Sequence, residues 1–169
     1  MPALQDIVVD RPQLLLVGIN PGLRSGALGH HFAGRGNPFW RLLHAARLTP
    51  VLLDYAEDRR LAEFGIALTN LCPRATRTAA ELTRAEIARG RTALARKIAR
   101  WRPAIVAFVG VSLYQMFFAR PAGGPGAKPD MIAGARVFVV PNPSGLNASY
   151  PGFAHKLVWF KKLRTFLRS

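Results

Sequence analysis

"LLLVGINPGLRSGALGHHFAGRGNPFW", Leu14 to Trp40, decides how the rest of the chain is read. It opens as a short continuous apolar run, the pattern of a strand buried on both faces. With Gln13 in front, the strand is expected over Gln13–Ile19. Asn20-Pro21-Gly22 stops it, because proline cannot extend a central ladder and Asn and Gly favour turns. A loop from Leu23 to Gly36 is expected next, rich in Gly and His and without one Asp or Glu. Helical character returns at Asn37-Pro38, with Asn as N-cap and Pro at the first helical position. Phe39, Leu42, Leu43 and Ala46 give that helix its apolar stripe.

Outward from this stretch the same grammar repeats. A second helix is expected from Pro50 to about Phe64, and a second short strand in "GIALTNL", Gly65 to Leu71. Thr83-Arg84-Ala85-Glu86 forms a capping box. It opens a long helix to Trp101, with Ile87, Leu94, Ile98 and Trp101 as its buried stripe and its arginines as a solvated face. Ala104–Val109 is the clearest strand. Gly110 and Ser112 turn it into a short helix through Leu113 to Phe118. Pro121 to Pro129 reads as loop. Arg136–Val140 is a last strand, closed by "PNPSGLNAS", and His155–Leu167 is an amphipathic helix. Apolar strands alternating with helices predict an α/β fold: one domain over 1–169, three layers (α/β/α), with a short, mostly parallel central sheet. Ligands of such sheets bind at the carboxyl ends of the strands. The polar loops after Ile19 and after Val140, both containing Asn-Pro, are expected to face one cleft.

Charge bounds the partner. Lys and Arg number 24 against 9 Asp and Glu, a net +15, and polyanions are the natural partners of such a field. No acid falls between Arg11 and Leu53, and none comes after Asp130. Both segments therefore suit a surface facing phosphate. They also lack the usual general bases. The start has no charged segment leading into an apolar one, so no signal peptide is read. No apolar run approaches the ~18 residues of a membrane span. Cys72 stands alone, which rules out an internal disulfide. A cytoplasmic protein, associated with the nucleoid in a bacterium or nuclear in a eukaryote, is the expectation.

Several standard chemistries fail on the residues. There is no phosphate-cradling G-x-x-x-x-G-K-[ST] loop and no G-x-S-x-G nucleophile elbow. "GRGNPF" lacks the third glycine of a dinucleotide fingerprint. His30-His31 has no neighbouring Cys, Asp or Glu to complete a metal set; no metal is expected. What remains is the Asn20 amide at a strand tip, which can orient a water but cannot accept a proton strongly. Gly18 and Gly22 allow close backbone approach. Phe32 can stack on a flat ligand. Asn-Pro-Gly reads equally well as nothing more than a tight turn.

Three blocks bear on that choice. "GINPG" at Gly18–Gly22, "GHHFAGRGNPFW" at Gly29–Trp40 and "NPSGLNAS" at Asn142–Ser149 resemble the mismatch-specific uracil/thymine branch of the uracil-DNA glycosylase superfamily. The resemblance implies a uracil-DNA glycosylase-like fold. It gives Asn20 the catalytic role, positioning a water below the deoxyribose C1′. Phe32 would stack on the extruded base. Gly18, Ile19, Pro21, Gly22, Ser25, His31 and Asn142 would complete the base pocket, with backbone around Ile19 and Gly29–Phe32 bonding the base edge. Gly145, Leu146 and Asn147 would be the wedge, Leu146 filling the hole left by the flipped base. Ser144 and Ser149 would touch phosphates. Asn147-Ala148 and Asn70 depart from a familiar bacterial member, which carries a basic residue two positions past the leucine and a lysine in place of Asn70.

The implied activity is monofunctional: excision of uracil, or of thymine or a modified cytosine, opposite guanine in double-stranded DNA, leaving an abasic site for base excision repair. No cofactor is implied, and a monomer is the expectation. A base inside a duplex must be flipped out to be reached, and a mismatched pair opens more easily. An apolar wedge holds the gap. If the glycosidic bond breaks dissociatively, an oriented water suffices and fixed N–H donors stabilise the departing base anion. The alternative is a non-catalytic basic nucleic-acid-binding module on the same fold.

Overall fold

Every residue of β1 (Leu14–Gly18) is buried, and its two faces feed two separate cores. Leu14 and Leu16 join one cluster, Leu15 and Val17 the other, as the two-residue period of a strand requires. The computed structural model in which this is seen describes residues 4–144 and 149–169. β1 lies between β2 (Ile66–Asn70) and β3 (Ile105–Val109), parallel to both. β5 (Ala135–Val140) continues the parallel set beside β3, and β4 (Gly126–Ile132) runs antiparallel on the edge, giving the order β2-β1-β3-β5-β4.

The first cluster packs α2 (Phe39–Ala45) and α5 (Phe153–Leu167) on one face through Phe39, Leu42, Leu43, Phe160 and Leu163. The second packs α3 (Arg84–Trp101) and α4 (Val111–Phe118) on the other through Leu94, Ile98, Trp101, Leu113 and Tyr114. Each fully buried Leu or Phe contributes roughly 1.5–3 kcal/mol. The result is the three-layer α/β/α arrangement, with a mostly parallel sheet. Among the described residues no helix is long and apolar enough to cross a membrane.

The chain leaves β1 toward the α2 face and leaves β3 toward the α4 face. The carboxyl ends of β1 and β3 are therefore a topological switch point, where open α/β sheets form a crevice.

Four expectations need correction. Leu23–Leu28 is not loop but a short helix, α1, closed by Gly29 in the left-handed region (φ 75°). Its Gly26 reads in sequence as a helix breaker. A Cβ there would come within 2.7 Å of the Ala75 Cβ, so glycine serves packing. The helix expected from Pro50 is a 3-10 helix starting at Tyr55, because the capping pair is Asp54 and Glu57. α2 starts one residue late, at Phe39, with Asn37 Oδ1 accepting the Phe39 N–H at 3.0 Å. The largest miss is Pro121–Pro129, whose second half belongs to β4. A two-residue turn, Ala133 (φ 47°) and Gly134 (φ 86°), folds β4 back on β5. Pro129 is tolerated because it sits on an edge strand within a register shift between Lys128 and Met131. Asp130 is bound there by Tyr114 and Arg120.

Candidate active site

A cleft of about 880 Å³ opens at the switch point. It is lined by the ends of β1, β2, β3 and β5: Gly18–Gly22, Asn70 with Thr76–Thr78, Val109–Ser112, and Asn142 with Ser144. Ser149 and Tyr150 close one side, and Ser25, His31 and Phe32 another. No Asp or Glu is among these described lining residues, whereas Arg24 and Arg77 are. So Gly18, Ile19, Asn20, Pro21, Gly22, Ser25, His31, Phe32, Asn142, Ser144 and Ser149 share one cavity. Gly145, Leu146 and Asn147, expected as the wedge, lie outside the described residues.

Asn20 stands just past β1, and the segment after β2 holds it. Leu71 and Cys72 donate N–H to the Gly18 and Ile19 carbonyls at 2.8 and 2.9 Å, and Thr76 to that of Pro21 at 3.1 Å. This carries the parallel pairing beyond the strands and lays 71–76 alongside Asn20. The amide nitrogen donates to the Arg74 carbonyl at 2.8 Å and to Thr76 Oγ1 at 2.7 Å. Thr76 Oγ1 in turn donates to the Thr78 carbonyl at 2.7 Å, so it can only accept from Asn20. Both amide protons are thereby engaged and the flip of the amide is fixed. No described residue donates to Asn20 Oδ1.

Arg74 is fixed from behind. Its guanidinium makes a two-pronged pair with Glu86 (2.8 Å each) and reaches the Glu81 carbonyl at 2.9 Å. The Arg74 hydrogen bonds, with the Thr83 backbone N–H, pull the Glu86 carboxyl down to about 2. One carboxylate thus caps α3 and anchors the segment that orients Asn20.

Phe32 is the second fixed point. Its φ is 51°, a strained value for a bulky residue. Phe39 stacks on one side of its ring, centroids 3.8 Å apart and planes within 12°. Ser25 Oγ accepts the Ala33 N–H at 3.0 Å, and Arg24 Nε donates to the Ala33 carbonyl at 2.8 Å. Ser25, expected in the base pocket, is thus also a brace for the Phe32 loop. Gly18 faces the ring across the cleft floor. A Cβ there would sit 3.5 Å from Phe32 Cζ and 2.5 Å from Asn70 Oδ1. Asn70, the departure at the end of β2, therefore lays its amide across Gly18 beside Phe32.

The histidines divide. His44 and His155 are exposed. His30 Nδ1 lies 3.1 Å from Asp58 Oδ1, and the His31 N–H donates to Asp58 Oδ2 at 2.9 Å. The loop is acid-free in sequence yet docked by an acid in space, since Asp58 arrives buried from the 3-10 helix. The His31 ring is 2% exposed and its Nε2 lies 2.7 Å from the Gln5 carbonyl. Desolvation by burial holds its pKa below the usual imidazole value. Among the described residues no group of three or more His, Cys, Asp and Glu is placed to hold a metal ion.

Asn70 was singled out in the sequence only as a departure, and Arg74, Thr76 and Thr78 of the segment after it escaped sequence reasoning. The signal was there: a strand ending in Asn70, parallel to one ending in Gly18, brings the next few residues to the same edge. The family model of the uracil DNA glycosylase superfamily matches residues 6–164. A protein of Schizosaccharomyces pombe described as a G/U mismatch-specific uracil DNA glycosylase is 29% identical over 169 residues. That alignment covers 94% of this chain and 52% of the other, so the chain spans about half the length of that curated relative.

Proposed function

This chain belongs to the uracil DNA glycosylase superfamily, and from that premise we propose that it is a monofunctional DNA glycosylase acting on uracil opposite guanine in double-stranded DNA. The observation that carries the reading is the tethered Asn20 amide, its nitrogen bound on both protons and its oxygen left as the acceptor. An acceptor so oriented holds a water by one proton and turns its lone pair toward the sugar carbon. It cannot deprotonate that water outright, so bond cleavage runs ahead of attack. The departing base then carries negative charge, and a cleft wall without carboxylates does not oppose it.

Phe32, backed by Phe39, is the platform for the flipped base. Within Gly29–Phe32, the N–H groups of Gly29 and His30 go to Ser25 and that of His31 to Asp58. That leaves Phe32 N–H, alone of the segment among the described residues, to meet the base edge. The Asn70 amide offers both a donor and an acceptor beside it. The His31 ring, turned to Gln5, acts through loop position rather than on the base. Ser144, its N–H accepted by Asn142 Oδ1 at 2.9 Å, and Ser149 are assigned to phosphates beside the Gly145–Asn147 wedge.

The test is a labelled G·U duplex incubated with the protein in chelator, then treated with alkali. Strand cleavage at the uracil position, dependent on Asn20, is the expected result. Tight binding without base release would sink the catalytic reading and favour a non-catalytic binding module.

A further inference from the structure

Lys156 sits where a lysine is unfavourable three times over. It stands in the first turn of α5, where the helix dipole already presents positive charge. It lies on the core-facing stripe, between Phe153 and the fully buried Phe160, and is itself only 2% exposed. Among the described residues no carboxylate, carbonyl or hydroxyl accepts from its ammonium. Its stem is buried but its ammonium is not enclosed: among the described residues the one enclosed side-chain nitrogen or oxygen without a partner is Trp40 Nε1.

Among the described residues no carboxylate is ion-paired with Lys156. No acid comes after Asp130. Asp6 pairs with Lys97, Asp58 with His30, Glu86 with Arg74, and Asp130 with Arg120. A side chain that does reach this turn is another cation, Arg41, whose guanidinium lies 5.2 Å from the Phe153 ring centroid. Nor is the helix end capped: Gly152 is the N-cap, no side chain bonds the first N–H groups, and the first turn carries no acid. A helical side chain leans toward the N-terminus of its helix. Lys156 is therefore directed over the preceding turn, toward the Ser149–Gly152 segment. Ser149 and Tyr150 of that segment line the cleft.

We propose that Lys156 and the open N-terminus of α5 together grip one backbone phosphate of bound DNA at the rim of the cleft. This rests on the glycosylase reading, and it names a grip outside the base pocket. An ammonium and first-turn N–H groups that no described side chain engages, together with the positive helix end, find their partner in one phosphodiester oxygen pair. The lysine is a positioning residue: it fixes where the strand lies, and touches neither the base nor C1′.

The experiment compares the parent, Lys156→Met and Lys156→Arg in binding a duplex with a stable abasic analogue and an undamaged duplex, from about 50 to about 200 mM salt. Lys156→Met should weaken both by a similar factor, roughly tenfold at low salt, and flatten the slope of log K against log salt by about 0.9. Lys156→Arg should keep the parent slope. Free of DNA, the Met variant should melt close to the parent, since Met keeps an apolar stem in the same buried place. A Met variant with the parent's slope and affinity overturns the proposal, whatever its melting temperature. If Met prevents folding, Lys156→Gln reads the same slope. Uracil release by the parent is measured in parallel. A parent that binds but never releases uracil overturns the glycosylase reading alone, while the slopes still decide the grip.

Discussion

Asn20 has one end that no described residue engages, and the chemistry proposed for it depends on which end that is. Thr76 Oγ1 fixes it by accepting one amide proton while giving its own to Thr78. Thr76→Val keeps the shape and removes that acceptor. The amide can then rotate, and single-turnover uracil release should fall roughly tenfold to a hundredfold, with DNA affinity nearly unchanged. Asn20→Ala should abolish release while leaving binding intact; full activity in that variant would remove the assigned role. Gly18→Ala forces a Cβ to 2.5 Å from Asn70 Oδ1, so the Asn70 amide must move. Its expected signature is loss of discrimination between uracil and thymine in competition assays more than loss of rate. His31 gives a pH prediction. Its folded pKa lies below the usual 6.5 because burial disfavours the imidazolium. As pH falls through 6.5 the unfolded chain takes up a proton that the folded chain refuses. The contribution of His31 to stability is thus complete above 6.5 and shrinks below it. Denaturant titrations should show a shallower stability loss from pH 6.5 downward in His31→Gln, which keeps a donor for Gln5.

At the scale of elements, α3 and the 71–78 segment act as one unit. Gly90 in α3 lets the helix lie against Leu71; a Cβ there would be 2.3 Å from the Leu71 carbonyl oxygen. Gly90→Ala raises helix propensity by about 1 kcal/mol. The clash with backbone costs more, about 1–3 kcal/mol in overpacked sites. The variant should therefore melt lower than the parent, and it should also cleave more slowly, because the displaced segment is the one that holds Asn20. Unchanged melting and rate would show that the helix can shift freely. The same segment shows where sequence reading stopped. β1, β2, β3, β5 and the α3 cap were legible because each has a local cause: a continuous apolar run or Thr83 paired with Glu86. β4 was hidden because Pro and Gly are common in loops, and only the turn at Ala133-Gly134 and the pairing with β5 make it a strand. Asn20 and Phe32 were legible from their blocks, but their fixation was not. Asp58 reaches the Phe32 loop at His31 from 27 residues away, and Arg74 and Thr76 reach Asn20 from 54 and 56. Only the folded sheet creates those contacts.

Across the whole molecule, the proposed function divides the labour between reaching DNA, assigned to the +15 charge, and cutting the bond, assigned to the cleft, where no described lining residue is an acid. The long-range field acts on encounter and on phosphate contacts, both screened by salt within a Debye length of about 10 Å at 0.1 M. The proposed chemical step acts inside a pocket braced by hydrogen bonds accepted by Ser25, Thr76 and Asp58 and donated by Arg24, and such contacts are screened far less. The two steps should therefore separate in one experiment. Raising salt from about 50 to about 200 mM should lower kcat/KM on a G·U duplex by more than tenfold, and by roughly a thousandfold if about six phosphates are engaged. The single-turnover rate with enzyme saturating should change less than about twofold over the same range, because once the base is seated the distant charges no longer decide the barrier. Equal losses in both quantities would mean that charge acts in the bond-breaking step itself, and Asn20 with its tethered amide would then not suffice as the centre of the reaction.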